Sequence, residues 1–150
     1  MLLAVWLQNA CHPPLANRRT VSGDRALYEP GDLLVIDTVG KRRLSRAHEA
    51  YSTLVAGVYS TKPGLLAGVP HMDDPSLASE VPLAVIGIVP CKVNAEGGPI
   101  NVGDLLVSSS SPGRAMKGAD RGRMLGAVVG KALDPLPEGS GVIQVLITLQ

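Results

Sequence analysis

The sequence predicts an all-β domain, a compact barrel-like or sandwich fold built from two similar β units. Short apolar runs alternate with turns along the chain, and 17 Gly and 12 Pro in 150 residues are too many for a helical bundle. The last run, GVIQVLITL, alternates with the period of two that is typical of a half-buried strand. The five letters GDLLV also occur twice, beginning at Gly31 and at Gly103, 72 positions apart.

The β-rich domain is expected to span residues 28–150, after an irregular lead-in over residues 1–27 in which HPP and SGD have the composition of turns. The first seven residues, MLLAVWL, are apolar, but no basic region precedes them and no small-residue cleavage site follows. We therefore predict no signal peptide and interpret this stretch as a short strand or as the stub of a longer chain. The location of the protein stays open, with an extracellular or virion-associated one as the working alternative.

Six apolar runs are predicted to be strands, because turn residues bound them and most are rich in Val, Ile and Leu. The third is apolar on both faces as far as Ile88, which is typical of a strand buried on both sides. The segment RRLSRAHEAYSTLV differs, because its apolar residues recur at helical spacing; a helical turn or two is the alternative there. The predicted strands cover residues 33–37, 54–60, 82–93, 105–109, 125–133 and 141–149.

The duplicated GDLLV belongs to two similar units, predicted to cover residues 31–64 and 103–139. Each contains a turn, the GDLLV strand, an excursion, a V-x-G strand and a turn with proline, and the V-x-G glycine follows Gly31 by 26 residues and Gly103 by 27. Glycine inside a strand marks a bulge or the close approach of another backbone, and a Gly-Asp step suits a tight turn. Seven residues are therefore interpreted as structural: Gly31, Asp32, Gly57, Gly87, Gly103, Asp104 and Gly130.

The final strand bears on both the core and the partners. We expect its Val145 to share one core with Leu34, Val85, Val107 and Val129. No charged residue follows Glu138, so an open edge along this strand would be hydrophobic, and soluble monomers usually protect such an edge with charge or proline. Cover must come from within the fold or from another chain, and an obligate oligomer would provide it.

Charge and cysteine content exclude several kinds of function. The net charge of +1 predicts neither a nucleic-acid nor a membrane partner. Cys11 and Cys91 are too few for a disulfide framework or a Cys metal site, and two separate thiols are favoured over one bridge. His48-Glu49 and the stretch HMDD from His71 each lack a second ligand cluster, and no phosphate loop is present. We predict no metal and no cofactor.

Three catalytic patterns are incomplete. Asp32 and Asp104 hold like positions in two units, but neither lies in the D-[ST]-G loop of an aspartic protease dyad. Lys41 could be the base of a Ser–Lys peptidase, yet the Ser-Met motif that should precede it is missing and only Ser22-Gly23 is nearby. The run of serines at 108–111 lacks the G-x-S-x-G elbow. We predict no catalytic residue, with a self-cleaving peptidase as the alternative.

From about Tyr28 onward the chain resembles a β-rich C-terminal assembly domain of bacterial and phage fibre-like proteins. The resemblance is carried by the blocks EPGDLLVID, LVAGVYSTKPG, VPLAVIGIVPCKV, GPINVGDLLVSSSSPGRAMK, LGAVVGKAL and GVIQVLITLQ, in this order and spacing. Such domains are similar to the auto-processing intramolecular chaperone domains that end phage tail-spike and neck-appendage proteins. The resemblance implies a homotrimer that registers three chains during folding, in some members with self-cleavage afterwards. It assigns no catalytic residue to a position of this chain.

Overall fold

The computed structural model describes residues 15–61, 65–67 and 79–149. In these ranges the chain is nearly all β, so the all-β prediction is confirmed; two 3-10 turns, Arg25–Leu27 and Arg121–Arg123, each follow an aspartate that accepts a backbone N–H. No helix in the described ranges is long and apolar enough to cross a membrane. The strands are β1 (Leu15–Thr20), β2 (Leu33–Ile36), β3 (Leu44–Arg46), β4 (Val55–Tyr59), β5 (Leu65–Ala67), β6 (Glu80–Asn94), β7 (Leu105–Ser108), β8 (Ala115–Lys117), β9 (Gly130–Ala132) and β10 (Ser140–Thr148).

Five strands close into a barrel in the C-terminal half of the chain, called the C-terminal barrel below. Their order around the barrel is β6-β10-β9-β7-β8. The β6–β10, β10–β9, β9–β7 and β7–β8 pairs are antiparallel. A parallel bridge between Val93 of β6 and Ala115 of β8 completes the ring. A closed barrel leaves these strands without a free edge.

The N-terminal half forms a second ring, the N-terminal barrel, in the order β1-β6-β4-β2-β3. A parallel bridge between Val21, directly after β1, and Leu44 of β3 completes it. β5 pairs with β1 in parallel and lies outside this ring. The 15-residue β6 belongs to both barrels: its first half pairs with β1 and β4, and its second half pairs with β10 and β8.

The two barrels repeat each other in register. Leu34 of β2 pairs with Gly57, and 72 residues later Leu106 of β7 pairs with Gly130. The Tyr59 N–H donates to the Asp32 C=O at 2.9 Å, and its counterpart, the Ala132 N–H, donates to the Asp104 C=O at 2.9 Å. The closing bridges correspond too, since Val93 follows Val21 by the same 72 residues. The structural repeat is therefore longer than the two GDLLV units and divides the chain within β6.

The segment expected to be an irregular lead-in contains β1. Its counterpart is the second half of β6, and the partner of β6 changes from β1 to β10 around Ile86 and Gly87. Gly87 has φ 108°, a left-handed value that favours glycine. The end of the first predicted unit, Lys62-Pro63-Gly64, lies outside the described residues, as do Cys11 and the HMDD stretch.

Each barrel has its own interior, so the prediction of one shared core is wrong. The N-terminal interior consists of Val21, Leu34, Leu44, Tyr59, Val81 and Leu83, with Val85 packed against it. Their repeat counterparts, Val93, Leu106, Ala115, Ala132, Ile143 and Val145, lie in a larger cluster that also fills the space between the barrels and contains Val129. Val107 belongs to neither interior; it packs on the outer face of β7, because successive strand residues point to opposite sides.

The structure decides two questions that the sequence left open. The segment with helical spacing forms β3 and a turn, and Tyr51 in that turn has φ 58°, outside the right-handed helical region. The final strand β10 is not an edge strand, because it is paired with β9 on one side and with β6 on the other. Both edges of this strand are therefore covered from within the fold.

Candidate functional site at the junction of the barrels

The barrels meet where the loop between β7 and β8 reaches the N-terminal barrel. Gly113 of this loop donates its N–H to the Ala47 C=O at 2.7 Å, and its C=O accepts the Leu33 N–H at 2.9 Å. Gly113 thus inserts between β2 and the end of β3. A Cβ at this position would lie 2.6 Å from the Asp32 Oδ1, so the contact requires glycine.

A buried ion pair reinforces the same contact. The Asp32 side chain is 1% exposed, and its Oδ1 lies 2.8 Å from the Lys92 Nζ. Lys92 also lies 2.6 Å from the Oε2 of Glu29, which is largely exposed. The second carboxylate oxygen of Asp32 accepts the Glu29 N–H at 2.8 Å. Asp32 therefore holds the turn that enters β2 and at the same time binds the neighbouring barrel.

The protonation states at the junction argue against acid–base or nucleophilic chemistry. Burial alone would lower the pKa of Lys92, but the hydrogen bonds and charges of Asp32 and Glu29 outweigh it and raise that pKa. The hydrogen bond from Lys92, together with its charge, lowers the pKa of Glu29. Burial raises the pKa of the Cys91 thiol to about 12. Near neutral pH the cluster thus offers a protonated amine, an ionised carboxylate and a protonated thiol, and none of these is an activated base or nucleophile.

Asp104 repeats the turn in the C-terminal barrel but has a different environment. Its Oδ2 accepts the Asn101 N–H at 2.8 Å, as Asp32 accepts from Glu29. The same oxygen lies 3.3 Å from the Nζ of Lys117 in a partly exposed pair. Each aspartate has its own lysine and its own barrel, so the structure does not join the two carboxylates into a dyad.

The candidate serines are held by structural hydrogen bonds. Ser22 donates its hydroxyl to Asp37, which lowers the pKa of that carboxylate, and no hydrogen bond of the described residues joins Ser22 to the exposed Lys41. The buried Ser108 donates to the Glu49 C=O at 2.7 Å and accepts the Ser52 N–H at 2.8 Å.

The rest of the serine run and His48 are also accounted for. Ser109 is buried beside Asn94, and Ser110 donates to Glu96 at 2.6 Å. The exposed His48 approaches only the Arg46 C=O, at 3.3 Å, and the described residues contain no group of His, Cys, Asp and Glu that could hold a metal.

The remaining predicted residues lie at contacts between strands. Gly57 in β4 and Gly130 in β9 face the carbonyl oxygens of Ala84 and Leu146, where an added Cβ would lie only 2.3 Å and 2.0 Å away. Gly31 and Gly103 open the two GDLLV turns with φ 91° and 90°. Their N–H groups donate to the Tyr59 and Ala132 carbonyls at 2.8 and 2.7 Å, another correspondence between the barrels.

Sequence reasoning missed three residues of the junction. Lys92 is 60 positions from Asp32, and no local pattern links them. Gly113 follows a proline in SSSSPGR, so a turn could be inferred there, but not its insertion into another barrel. Tyr51 accepts the N–H groups of Ala119 and Asp120 at 3.0 and 2.9 Å, with the Arg123 guanidinium 4.4 Å above its ring. Tyr51 therefore also joins the two barrels.

Two surface features of the described residues take no part in the contacts between the barrels. One is an uncharged strip on the outer face of the β6–β10 ladder, where Ile86 and Ile88 are 56% and 47% exposed; the exposed Val142 lies farther along the ladder, opposite Lys92. The other is a cleft of about 580 Å³ on the C-terminal barrel, between β7, the end of β8 and the segment that follows it.

The architecture defines the class: two five-stranded barrels in tandem, joined by a shared strand, with the candidate polar residues used as structural bonds. Two solved structures of bacteriophage phi29 gene product 12 have a similar fold. The pre-mature gene product 12 is 15% identical, with a TM-score of 0.64 over 91% of this chain and 21% of that protein. The C-terminal fragment of gene product 12 is 14% identical, with a TM-score of 0.61 over 89% of this chain and 99% of the fragment.

This likeness shows the fold alone. The chain spans about a fifth of the pre-mature phage protein, as the 21% coverage states, and almost the whole C-terminal fragment. No protein-family model and no curated protein matches the sequence.

Proposed function

We propose that this chain is a non-enzymatic assembly module that trimerises and ends or chaperones a fibre-like surface or phage-related protein. One observation carries the proposal: its fold matches nearly all of the C-terminal fragment of a phage protein, at 99% coverage of that fragment. A unit that recurs as the C-terminal part of a much longer chain fits a terminating domain better than a free-standing enzyme.

The chemistry of the site supports a structural role. Asp32, Lys92 and Ser108 satisfy one another or the backbone, and the described residues contain no buried side-chain nitrogen or oxygen without a hydrogen-bond partner. An active site commonly keeps some polar groups free for its substrate. The uncharged strip at Ile86 and Ile88 supports self-association, since exposed apolar surface marks interaction sites.

The test is the solution mass of the chain at micromolar concentration and moderate salt, by sedimentation equilibrium and light scattering. The proposal expects three chains per particle without added ligand. A well-folded monomer at every concentration up to about 100 μM would refute it, since assemblies that bury a standard interface persist at such concentrations.

A self-cleaving peptidase is the second candidate. The observation in its favour is that one structural neighbour is described as a pre-mature form and the other as a C-terminal fragment, which suits a maturation step. Intact-mass spectrometry of the chain after prolonged incubation tests it. A new fragment with one defined terminus, formed at a rate independent of protein concentration, would bring this candidate forward.

A further inference from the structure

The cleft on the C-terminal barrel is the repeat counterpart of the junction face on the N-terminal barrel. Half of its lining comes from Gly103, Asp104, Leu105, Lys117 and Gly118. By the strand register their counterparts are Gly31, Asp32, Leu33, Arg46 and Ala47, the face against which Gly113 and Lys92 are seated. One barrel therefore uses this face to bind a neighbour, and the other barrel presents it to solvent.

The backbone groups of the two faces differ in one respect. In both, the residue after the short strand donates to the GDLLV strand: the Ala47 N–H to the Leu33 C=O at 2.9 Å, and the Gly118 N–H to the Leu105 C=O at 2.8 Å. In the N-terminal barrel Gly113 forms hydrogen bonds with the other two backbone groups, the Leu33 N–H and the Ala47 C=O. Among the residues that the structure describes, no hydrogen bond is made by the Leu105 N–H or the Gly118 C=O at the corresponding position.

Strand geometry places the Leu105 N–H on the side of β7 that faces Gly118, and both residues line the cleft. In a strand the N–H and C=O of one residue point to the same side, and the Leu105 C=O points to Gly118. The cleft thus offers the counterparts of the backbone donor and acceptor that hold Gly113 in the other barrel, with the Asp104 carboxylate beside them.

The chain also presents a counterpart of the inserted loop. Arg42 lies two residues before β3, as Gly113 lies two residues before β8. Arg42 has φ 58° and Gly113 has φ 69°, so both are left-handed. This conformation costs a non-glycine residue roughly 1–2 kcal/mol, and the Arg42 side chain is exposed.

We propose that the cleft of one copy binds the loop between β2 and β3 of a second copy, with Arg42 near the place that Gly113 takes in the junction. Arg42 has the Cβ that Gly113 lacks, so its loop sits farther from Asp104 than Gly113 does from Asp32. The cleft can accommodate this larger separation, because it is open to solvent. The guanidinium adds a cation from a neighbouring body to Asp104, which in its own barrel has only the partly exposed Lys117 at 3.3 Å, as Lys92 reaches Asp32 from the other barrel. Thr20, the counterpart of Lys92, has no charge.

Such a contact joins two different surfaces, one on each barrel. Contacts of this kind propagate head to tail, and they close into a ring when the rotation between copies allows it. Three copies would make the homotrimer of the proposed function, on which this inference rests. The uncharged strip at Ile86 and Ile88 is the competing surface, and it would pair with itself or with other parts of a neighbour.

Two variants block one surface each. Ala119→Trp fills the cleft from an exposed lining position, and Arg42→Asp reverses the charge of the loop with a residue that tolerates the left-handed conformation. Matched controls are Glu138→Trp and Arg19→Asp, which make the same kind of change at exposed positions outside the two surfaces. Leu125→Arg, at a rim residue 91% exposed, replaces Ala119→Trp if that variant unfolds in circular dichroism.

Each blocked variant is expected to weaken self-association at least tenfold in sedimentation, with both controls unchanged. An equimolar mixture of the two blocked variants should form a one-to-one dimer, because one supplies a free loop and the other a free cleft. The inference is overturned if the blocked variants associate like the wild type, or if the mixture stays monomeric while the wild type associates. A monomeric wild type would instead refute the proposed function itself, so the two failures are distinguishable.

Discussion

The Nζ of Lys92 in the C-terminal barrel lies 2.8 Å from the Oδ1 of Asp32 in the N-terminal barrel. This pair crosses the boundary between two repeats and lies beside the inserted Gly113, whose missing Cβ leaves room for the carboxylate. Asp32, which was a catalytic candidate in the sequence, thus joins one barrel to the other. Substitutions of these residues should change stability through packing, charge and backbone geometry.

Replacing Gly113 by Ala should destabilise the protein by about 3 kcal/mol or more, from a left-handed residue combined with a steric clash. The matched control is Gly139→Ala, which has nearly the same φ, 71° against 69°, and nothing within 4 Å of the added Cβ. The control should lose only about 1 kcal/mol, the cost of the conformation. Urea unfolding measures both, and equal losses would show that the junction contact contributes nothing.

Replacing Lys92 by Met should cost about 3 kcal/mol, because it leaves the Asp32 carboxylate buried without its cation. The double variant Asp32→Asn/Lys92→Met should regain much of that loss, since an amide can still accept the Glu29 N–H. Lys117→Met is the control, because its pair with Asp104 is partly exposed and should be worth less than about 1 kcal/mol. A double variant no more stable than Lys92→Met alone would contradict this account.

The contribution of Lys92 to the free energy of unfolding should decrease at alkaline pH. Its pKa is raised in the folded protein, so its stabilisation is complete below the ordinary lysine pKa of about 10.4 and is lost as the pH rises through the folded value. The difference in unfolding free energy between wild type and Lys92→Met should therefore stay constant from pH 7 to 9 and shrink above that. Chemical denaturation at several pH values checks this, and a difference that grew with pH would have the wrong sign.

Gly57→Ala and Gly130→Ala should have matching effects, since they are repeat counterparts. In each case the new Cβ would lie under 2.5 Å from a carbonyl oxygen of the neighbouring strand, at 2.3 and 2.0 Å. Either change should cost about 3 kcal/mol or more, a large part of the roughly 5–15 kcal/mol by which an ordinary protein is stable. Circular dichroism and thermal unfolding report the result. Tolerance at one site with collapse at the other would show that the barrels are less alike than their register indicates.

The sequence predicted what local pattern controls. The GDLLV turns and the V-x-G glycines were visible, because a turn needs glycine at a fixed place and a close strand contact excludes a side chain. The equivalence of β1 with the second half of β6 was not visible, since only Val21 and Val93 are alike in LANRRTV and GIVPCKV. Pairing with a strand far along the chain fixes these segments, and many apolar or mixed sequences satisfy it.

The junction and the final strand were less predictable for the same reason. A run as apolar as β10 is compatible with an edge covered by another chain or with a strand closed inside a barrel, and only the position of β9 decides between them. Lys92 carries no local sign that its partner is Asp32. Side-chain pairs between distant strands follow from topology, which the order of strands in the sequence does not determine.

β6 runs through both barrels without interruption over 15 residues. Most domains that follow one another in a chain are tethered by a flexible linker, and each can swing or melt by itself. Here the connection is itself a strand that is paired in both barrels, so neither barrel can lose β6 without the other losing it too. A force or a misfolding event at one end would be transmitted to the other end along this hydrogen-bonded strand. The two barrels should therefore behave as one stiff, all-or-none body.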